Sequence, residues 1–151
     1  MLFLIFNAAL ALVFAYTLWR GGAPERLVAT FFVVAAVGTA ATPTLPHNYS
    51  SLFWAVMWID IALFAALTGV ALFADRYWPL WLSAMQLFVV ATHAAKAYQP
   101  AIIARAYWLV TSYIALPMVL LLLIGTIRHR ERLAAGLPER AWTGRGRDRA
   151  T

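Results

Sequence analysis

SLFWAVMWIDIALFAALTGVALF, residues 51–73, is the stretch that decides the fold class of this chain. It contains a single ionisable residue, Asp60, and it is longer than the ~20 apolar residues that a helix needs to cross a bilayer. The charged pair Asp75 and Arg76 follows the apolar run and ends it. The stretch therefore predicts a transmembrane α-helix.

Four further apolar segments share this pattern, and loops with proline, glycine or charged residues separate them. Pro24 precedes the second segment, as a proline often begins a helix. The end of the chain has too few apolar residues to fold alone, so we expect it to be partly disordered. We predict an all-α fold, a polytopic transmembrane helical bundle of five helices followed by a basic cytoplasmic tail. The helices cover residues 1–19, 25–42, 51–73, 79–97 and 102–128, the bundle covers 1–128, and the tail covers 129–151.

The composition excludes an ordinary water-soluble domain. Hydrophobic residues make up 64% of the chain and charged residues 12%, whereas a soluble domain carries about 25% charged residues. A soluble protein of this size has too little interior to hide so much apolar surface, but a bilayer accepts that surface on every outward face. The absence of cysteine excludes disulfides and thiolate chemistry.

The distribution of positive charge predicts the orientation. Seven of the 12 Lys and Arg residues lie from Arg128 onward, and five spans would place three more on the same side, leaving only Lys96 and Arg105 opposite. The positive-inside rule then favours an outer N-terminus and an inner C-terminus. The second segment is short, about 24 Å as a helix. If it does not span the membrane, eight of the basic residues lie on one side and four on the other. No positive charge precedes the first segment, so we expect a retained helix rather than a cleaved signal peptide.

The basic tail indicates a membrane surface rather than nucleic acid. Positive residues beside a span attract anionic lipid head groups, and Trp142 is the only aromatic residue in the tail that could stack on a base. We therefore expect the lipid bilayer as the main partner, with anionic lipids at the tail. We also expect a membrane-protein partner or a homo-oligomer, and we do not expect nucleic acid as a partner.

Five polar residues in or beside the predicted spans form the candidate site. An ionised Asp60 at mid-helix costs about 2.5–3.5 kcal/mol, so it must face the bundle, protonate or pair. Gln86 and His93 are seven residues apart on one face of the fourth helix, and Lys96 follows. With Arg105 from the fifth helix, they suggest an outward-opening polar pocket that binds a proton or a ligand, in a bundle whose inner half is apolar. The alternatives are a packing hydrogen bond for Asp60 and snorkelling of the two basic side chains to the head groups.

No cofactor, metal or catalytic set is predicted. A haem held between helices needs two facing histidines, and His93 is the only histidine inside a predicted span. No His, Asp and Glu residues have metal-ligand spacing, and no phosphate loop or nucleophile motif occurs.

Two stretches carry a resemblance, YWPLWLSAMQLFVVATHAAKAY at residues 77–98 and ALPMVLLLLIGTIRHR at residues 115–130. They resemble small multi-span bacterial inner-membrane proteins that have no assigned activity, and the resemblance implies location alone.

The sequence leaves three hypotheses for the function of the chain. The first is a non-enzymatic accessory, scaffold or assembly partner. The second is a proton-linked transport unit or a small-ligand or quinone-binding unit, and the third is a membrane enzyme that acts on a lipid with Asp60 and His93 as acid and base.

Overall fold

The computed structural model of the chain is built from five α-helices. It describes residues 2–42, 49–99, 104–137 and 140–143, of which 2–3, 49–52 and 104–112 are described by their backbone alone. The helices are α1 (Leu2–Arg20), α2 (Ala23–Ala41), α3 (Tyr49–Phe73), α4 (Trp78–Tyr98) and α5 (Ala104–Ala134). The prediction of an all-α chain with five helices is confirmed.

The helices pack as a closed ring. Helix α1 contacts α2 and α5, α3 contacts α2 and α4, and α4 contacts α5, while α2 also reaches α5 across the ring. Short connections make α1 and α2, and likewise α3 and α4, antiparallel neighbours. The end of the ring where α2 begins and α3 ends carries Glu25 and Arg76, and we call it the Glu25 end. The opposite half, which holds His93, is the His93 end.

Apolar side chains fill the centre of the ring and also cover its outside. Leu67, Leu82 and Leu122 are fully buried between the helices. On the outside, Leu12 is 73% exposed and Leu72 is 68% exposed. A soluble monomer rarely shows so much contiguous apolar surface, whereas lipid-facing helices do.

Three of the helices are long and apolar enough to cross a membrane. They are Ala23–Ala41, Phe53–Phe73 and Tyr113–Ala134, and Leu4–Arg20 is a shorter apolar helix among the residues that the structure describes. Helix α2, which corresponds to the short second segment of the sequence, is one of these three helices. This composition indicates a membrane protein.

Helix α5 extends past the predicted boundary, and residues 141–143 of the tail pair with the end of α3. Helix α5 has 31 residues, which is about 46 Å of helical rise. It ends at Ala134, beyond the predicted end at residue 128. Gly136 then turns the chain with a φ of 67°, which L-residues other than Gly rarely adopt. Trp142 pairs with Ala74, just after α3, in an isolated antiparallel bridge, and its side chain packs against the core.

Candidate functional site

The carboxylate of Asp60 joins α3 to α4 through both of its oxygens. The side-chain amide of Gln86 donates to Oδ1 at 2.8 Å and also approaches the Asp60 backbone carbonyl at 3.2 Å. The imidazole Nε2 of His93 lies 2.8 Å from Oδ2. The structure therefore brings three of the five predicted site residues into one hydrogen-bonded cluster, which we call the Asp60 cluster.

The position of the Asp60 cluster follows from the antiparallel pairing of α3 and α4. Gln86 and His93 lie on one face of α4 and are almost fully buried, at 2% and 1% exposure, and Asp60 lies near the middle of α3. The ring of Phe53, two turns before Asp60, packs against the imidazole with 5.7 Å between the ring centroids. An apolar wall thus covers the imidazole, and low polarity around a hydrogen bond strengthens it.

The chemistry available to the Asp60 cluster is proton sharing and helix linkage. A carboxylate beside an imidazole can hold one proton between two heteroatoms, whichever of the two carries it. The Asp60 side chain is 20% exposed while the His93 side chain is 2% exposed, so the acid is the more accessible member of the pair. Each polar group that is satisfied in this way avoids the cost of a buried unpaired donor or acceptor.

Of the two basic candidates, only Lys96 has a described side chain. Lys96 is in the last turn of α4 and is partly exposed, and the polar contacts of Asp60 in the described chain are made with Gln86 and His93. Arg105 belongs to the first turn of α5, but its side chain lies outside the described residues. The outward-opening pocket that included both cations therefore stays a prediction.

A second buried polar cluster lies at the Glu25 end, where the sequence predicted an apolar interior. Glu25 is fully buried in the first turn of α2, and its Oε1 accepts from Nε of Arg76 at 3.3 Å. Nη2 of Arg76 lies 3.3 Å from Nδ1 of His129 on α5. The expectation of an almost wholly apolar inner half is wrong here, because α2, α5 and the loop after α3 place charged or polar side chains at this end. We call Glu25, Arg76 and His129 the Glu25 cluster.

The Glu25 cluster is closely packed around the connection between α1 and α2. A Cβ atom added to Gly22 would lie 2.8 Å from Oε2 of Glu25 and 2.9 Å from Cε1 of His129. Oε2 is buried and has no hydrogen-bond partner in the described part of the chain. Glycine thus lets the backbone approach a carboxylate and an imidazole that a side chain would push apart. In the sequence, Glu25 and Arg76 flank the same end of neighbouring helices, but a glutamate directly after Pro24 indicates a helix start rather than a buried ion pair.

Two hydroxyl pairs add weaker links between the helices. Thr17 of α1 and Thr126 of α5 are both fully buried, and their Oγ1 atoms are 3.1 Å apart. Oγ1 of Thr68 on α3 lies 2.7 Å from Oγ of Ser83 on α4. These pairs fix helix register, because each hydroxyl otherwise has only its own helix backbone to bond.

No group of three or more His, Cys, Asp or Glu side chains is placed to hold a metal ion within the described ranges. The Asp60 cluster contains two such side chains and the Glu25 cluster contains two, with an arginine in the second. Neither donor set therefore fits a metal centre. Comparison of the chain with protein-family models, with curated proteins and with solved structures found no match.

Proposed function

We propose that this chain is a multi-pass protein of a bacterial inner membrane that acts as a non-enzymatic accessory, scaffold or assembly partner. One observation carries the proposal. Interior polar side chains from different parts of the bundle bond one another in the Asp60 cluster, the Glu25 cluster and the two hydroxyl pairs. Groups that are used in this way stabilise one arrangement of the helices rather than hold a substrate.

Lipid makes such links useful. Apolar surface gives no net drive for helix association in a bilayer, so packing and interhelical hydrogen bonds must fix the arrangement. The polar pairs join α1 to α5 and α3 to α4, and they also join α2 to the loop after α3. A bundle with fixed helices and an apolar exterior is a suitable surface against which another membrane protein can pack.

The orientation belongs to the same proposal. The Glu25 end carries most of the positive charge, so we place it, with the tail, on the cytoplasmic side of five spans. Reporter fusions give a direct test. We expect cytoplasmic signals after Trp19, Arg76 and Arg132 and periplasmic signals after Thr42 and Gln99. A periplasmic signal after Arg132 would overturn the orientation.

The assembly role is tested by the size of the particle that leaves the native membrane. The tagged full chain, of 16.8 kDa, is extracted in polymer nanodiscs without detergent and weighed by light scattering with the polymer and lipid mass subtracted. We expect a defined complex larger than one chain, whose components cross-link to it. A particle that contains a single chain and no other protein would contradict the assembly role.

A second candidate, a proton-linked transport or small-ligand unit such as a quinone-binding protein, rests on the Asp60–His93 contact. The 2.8 Å separation and the partial exposure of the acid suit a group that accepts and releases a proton. Reconstitution in liposomes with an internal pH dye tests this function. Proton uptake that Asp60→Asn abolishes, while the thermal stability is kept, would favour this candidate over the scaffold.

A further inference from the structure

An open apolar groove runs between α2 and α3 at the Glu25 end. It has a volume of about 230 Å³, and Phe73 at its edge is 64% exposed, so the groove opens on the outer surface of the ring. Residues 66–73 of α3 form one wall, about 10 Å of helix. We call it the α2–α3 groove. Its lining residues are Leu27, Phe31, Ala66, Gly69, Val70, Phe73 and Trp142.

Trp142 is held at one end of the groove by the backbone of the returning tail. The amide of Asp75 donates to the carbonyl of Ala141 at 3.3 Å, and the amide of Thr143 donates to the carbonyl of Phe73 at 2.8 Å. The hydroxyl of Thr143 donates to the same carbonyl at 3.0 Å. The tail is therefore fixed on both sides of the indole, and the ring lines one end of the groove.

The floor of the groove is open because Gly69 lies in it. A Cβ atom at Gly69 would meet no atom within 4 Å, although the residue is in the middle of a helix. A glycine at this place weakens the helix by about 1 kcal/mol relative to alanine, and no close approach of another helix explains it. The space above Gly69 is available to an occupant from outside the chain.

Two exposed arginines adjoin lining residues of the groove in the sequence. Arg26 precedes the lining residue Leu27, and Arg140 lies two residues before Trp142; both are exposed. Arg76, in contrast, is partly buried and pairs with Glu25. Exposed guanidinium groups bind phosphate through paired hydrogen bonds.

We propose that the α2–α3 groove binds an anionic phospholipid, with part of one acyl chain between the helices and the phosphate beside Arg26 and Arg140. The volume is below the 300–1,000 Å³ of ordinary small-molecule sites, so the groove fits a length of acyl chain rather than a ring compound. The lining offers apolar contact alone, and the charge lies at the head-group end. The inference rests on the proposed membrane location and not on the proposed assembly role.

Native mass spectrometry of the delipidated full chain in detergent tests the proposal. The probes are dioleoyl phosphatidylglycerol and dioleoyl phosphatidylcholine, which have the same acyl chains. We expect tighter binding of the anionic lipid, and about a fivefold loss for Arg26→Gln or Arg140→Gln, which corresponds to about 1 kcal/mol per basic residue. Gly69→Leu adds a side chain to the groove at a position where its Cβ meets no atom within 4 Å, and we expect it to abolish the one-lipid species.

Matched controls separate the groove from general effects of charge and size. Arg132→Gln removes an exposed arginine from the end of α5, and Ala84→Leu adds the same side chain at an exposed position on α4; we expect both to bind like the wild type. Equal binding of the two lipids, or wild-type binding by Gly69→Leu, would overturn the proposal. Neither result bears on the assembly role, because the measurement uses the isolated chain.

Discussion

Nε2 of His93 and Oδ2 of Asp60 lie 2.8 Å apart, although the two residues belong to different helices. The other carboxylate oxygen accepts from Gln86. A single side chain on α3 therefore satisfies two buried side chains on α4. The consequence is that the contact between α3 and α4 depends more on Asp60 than on either of its partners.

Replacing Asp60 with alanine should destabilise the bundle more than replacing it with asparagine. Alanine removes the carboxylate that Gln86 and His93 both contact, although Gln86 keeps the Asp60 backbone carbonyl at 3.2 Å; an unsatisfied buried polar group costs about 1–3 kcal/mol. Asparagine keeps an oxygen for Gln86 and places its amide near the imidazole, so we expect a smaller loss. Thermal unfolding in detergent, followed by tryptophan fluorescence, measures the difference.

Asp75→Ala is the control for this comparison, because Asp75 is an exposed aspartate just beyond the end of α3. Its side chain takes no part in the Asp60 cluster, and we expect the unfolding temperature to stay near the wild-type value. If Asp60→Ala unfolds at the same temperature as Asp75→Ala, the Asp60 cluster does not hold the helices together.

The number of helices could be predicted from the sequence, because each of the five apolar segments is bounded by proline, glycine or charged residues. The contact of Asp60 with His93 was harder to place, since helical rise alone puts His93 about two turns nearer the helix end. The Cα–Cβ bonds of a helix tilt toward its N-terminus. In antiparallel α3 and α4, this tilt directs the two side chains toward each other, and their ends meet at 2.8 Å.

The Glu25 cluster could not be predicted in the same way. A glutamate in the first turn of a helix usually faces water and the helix dipole, so the pattern at Pro24 and Glu25 indicates a helix start. Burial of Glu25 depends on the path of the loop that carries Arg76 and on the continuation of α5 past residue 128 to His129. Both are tertiary features, and local sequence patterns do not report them.

Replacing Glu25 alone should cost much more stability than replacing Glu25 and Arg76 together. Glu25→Met leaves the Arg76 guanidinium, whose side chain is only 9% exposed, without its carboxylate. Loss of one member of a buried ion pair costs about 3–5 kcal/mol, whereas apolar replacement of both is often close to neutral. Chemical unfolding of the single and double variants measures this coupling.

Arg26→Met serves as the control, since it removes a neighbouring arginine that is exposed. We expect it to change the free energy of unfolding by less than about 0.5 kcal/mol. Additive effects of Glu25→Met and Arg76→Met would show that the two side chains do not stabilise each other.

Alanine should lower the stability of the bundle at Gly21 and Gly125 and raise it at Gly69. A Cβ atom at Gly21 would lie 2.6 Å from the backbone oxygen of Thr17, and one at Gly125 would lie 2.9 Å from the indole of Trp78. Overpacking of this kind costs about 1–3 kcal/mol. At Gly69 the Cβ would meet nothing within 4 Å, so Gly69→Ala should stabilise α3 by up to about 1 kcal/mol. Unfolding temperatures that fall for Gly69→Ala and rise for Gly21→Ala would contradict this packing.

The hydroxyl pair of Thr17 and Thr126 should make a small but measurable contribution to the association of α1 and α5. Each single Thr→Val change leaves a buried hydroxyl without its partner across the helices, while the double change removes both groups at nearly constant volume. Thr126 keeps a second bond to the carbonyl of Leu122 at 3.0 Å, so its hydroxyl loses less than that of Thr17. Interhelical hydrogen bonds in membrane proteins contribute about 0.6 kcal/mol on average, and we expect a coupling of that size in a double-mutant cycle.

The control is the cycle for Thr30→Val and Thr126→Val. It should give no coupling, because the hydrogen bond of the Thr30 hydroxyl within the described chain goes to the Arg26 carbonyl of its own helix. A Thr17–Thr126 coupling no larger than that control would mean that packing alone sets the contact between α1 and α5.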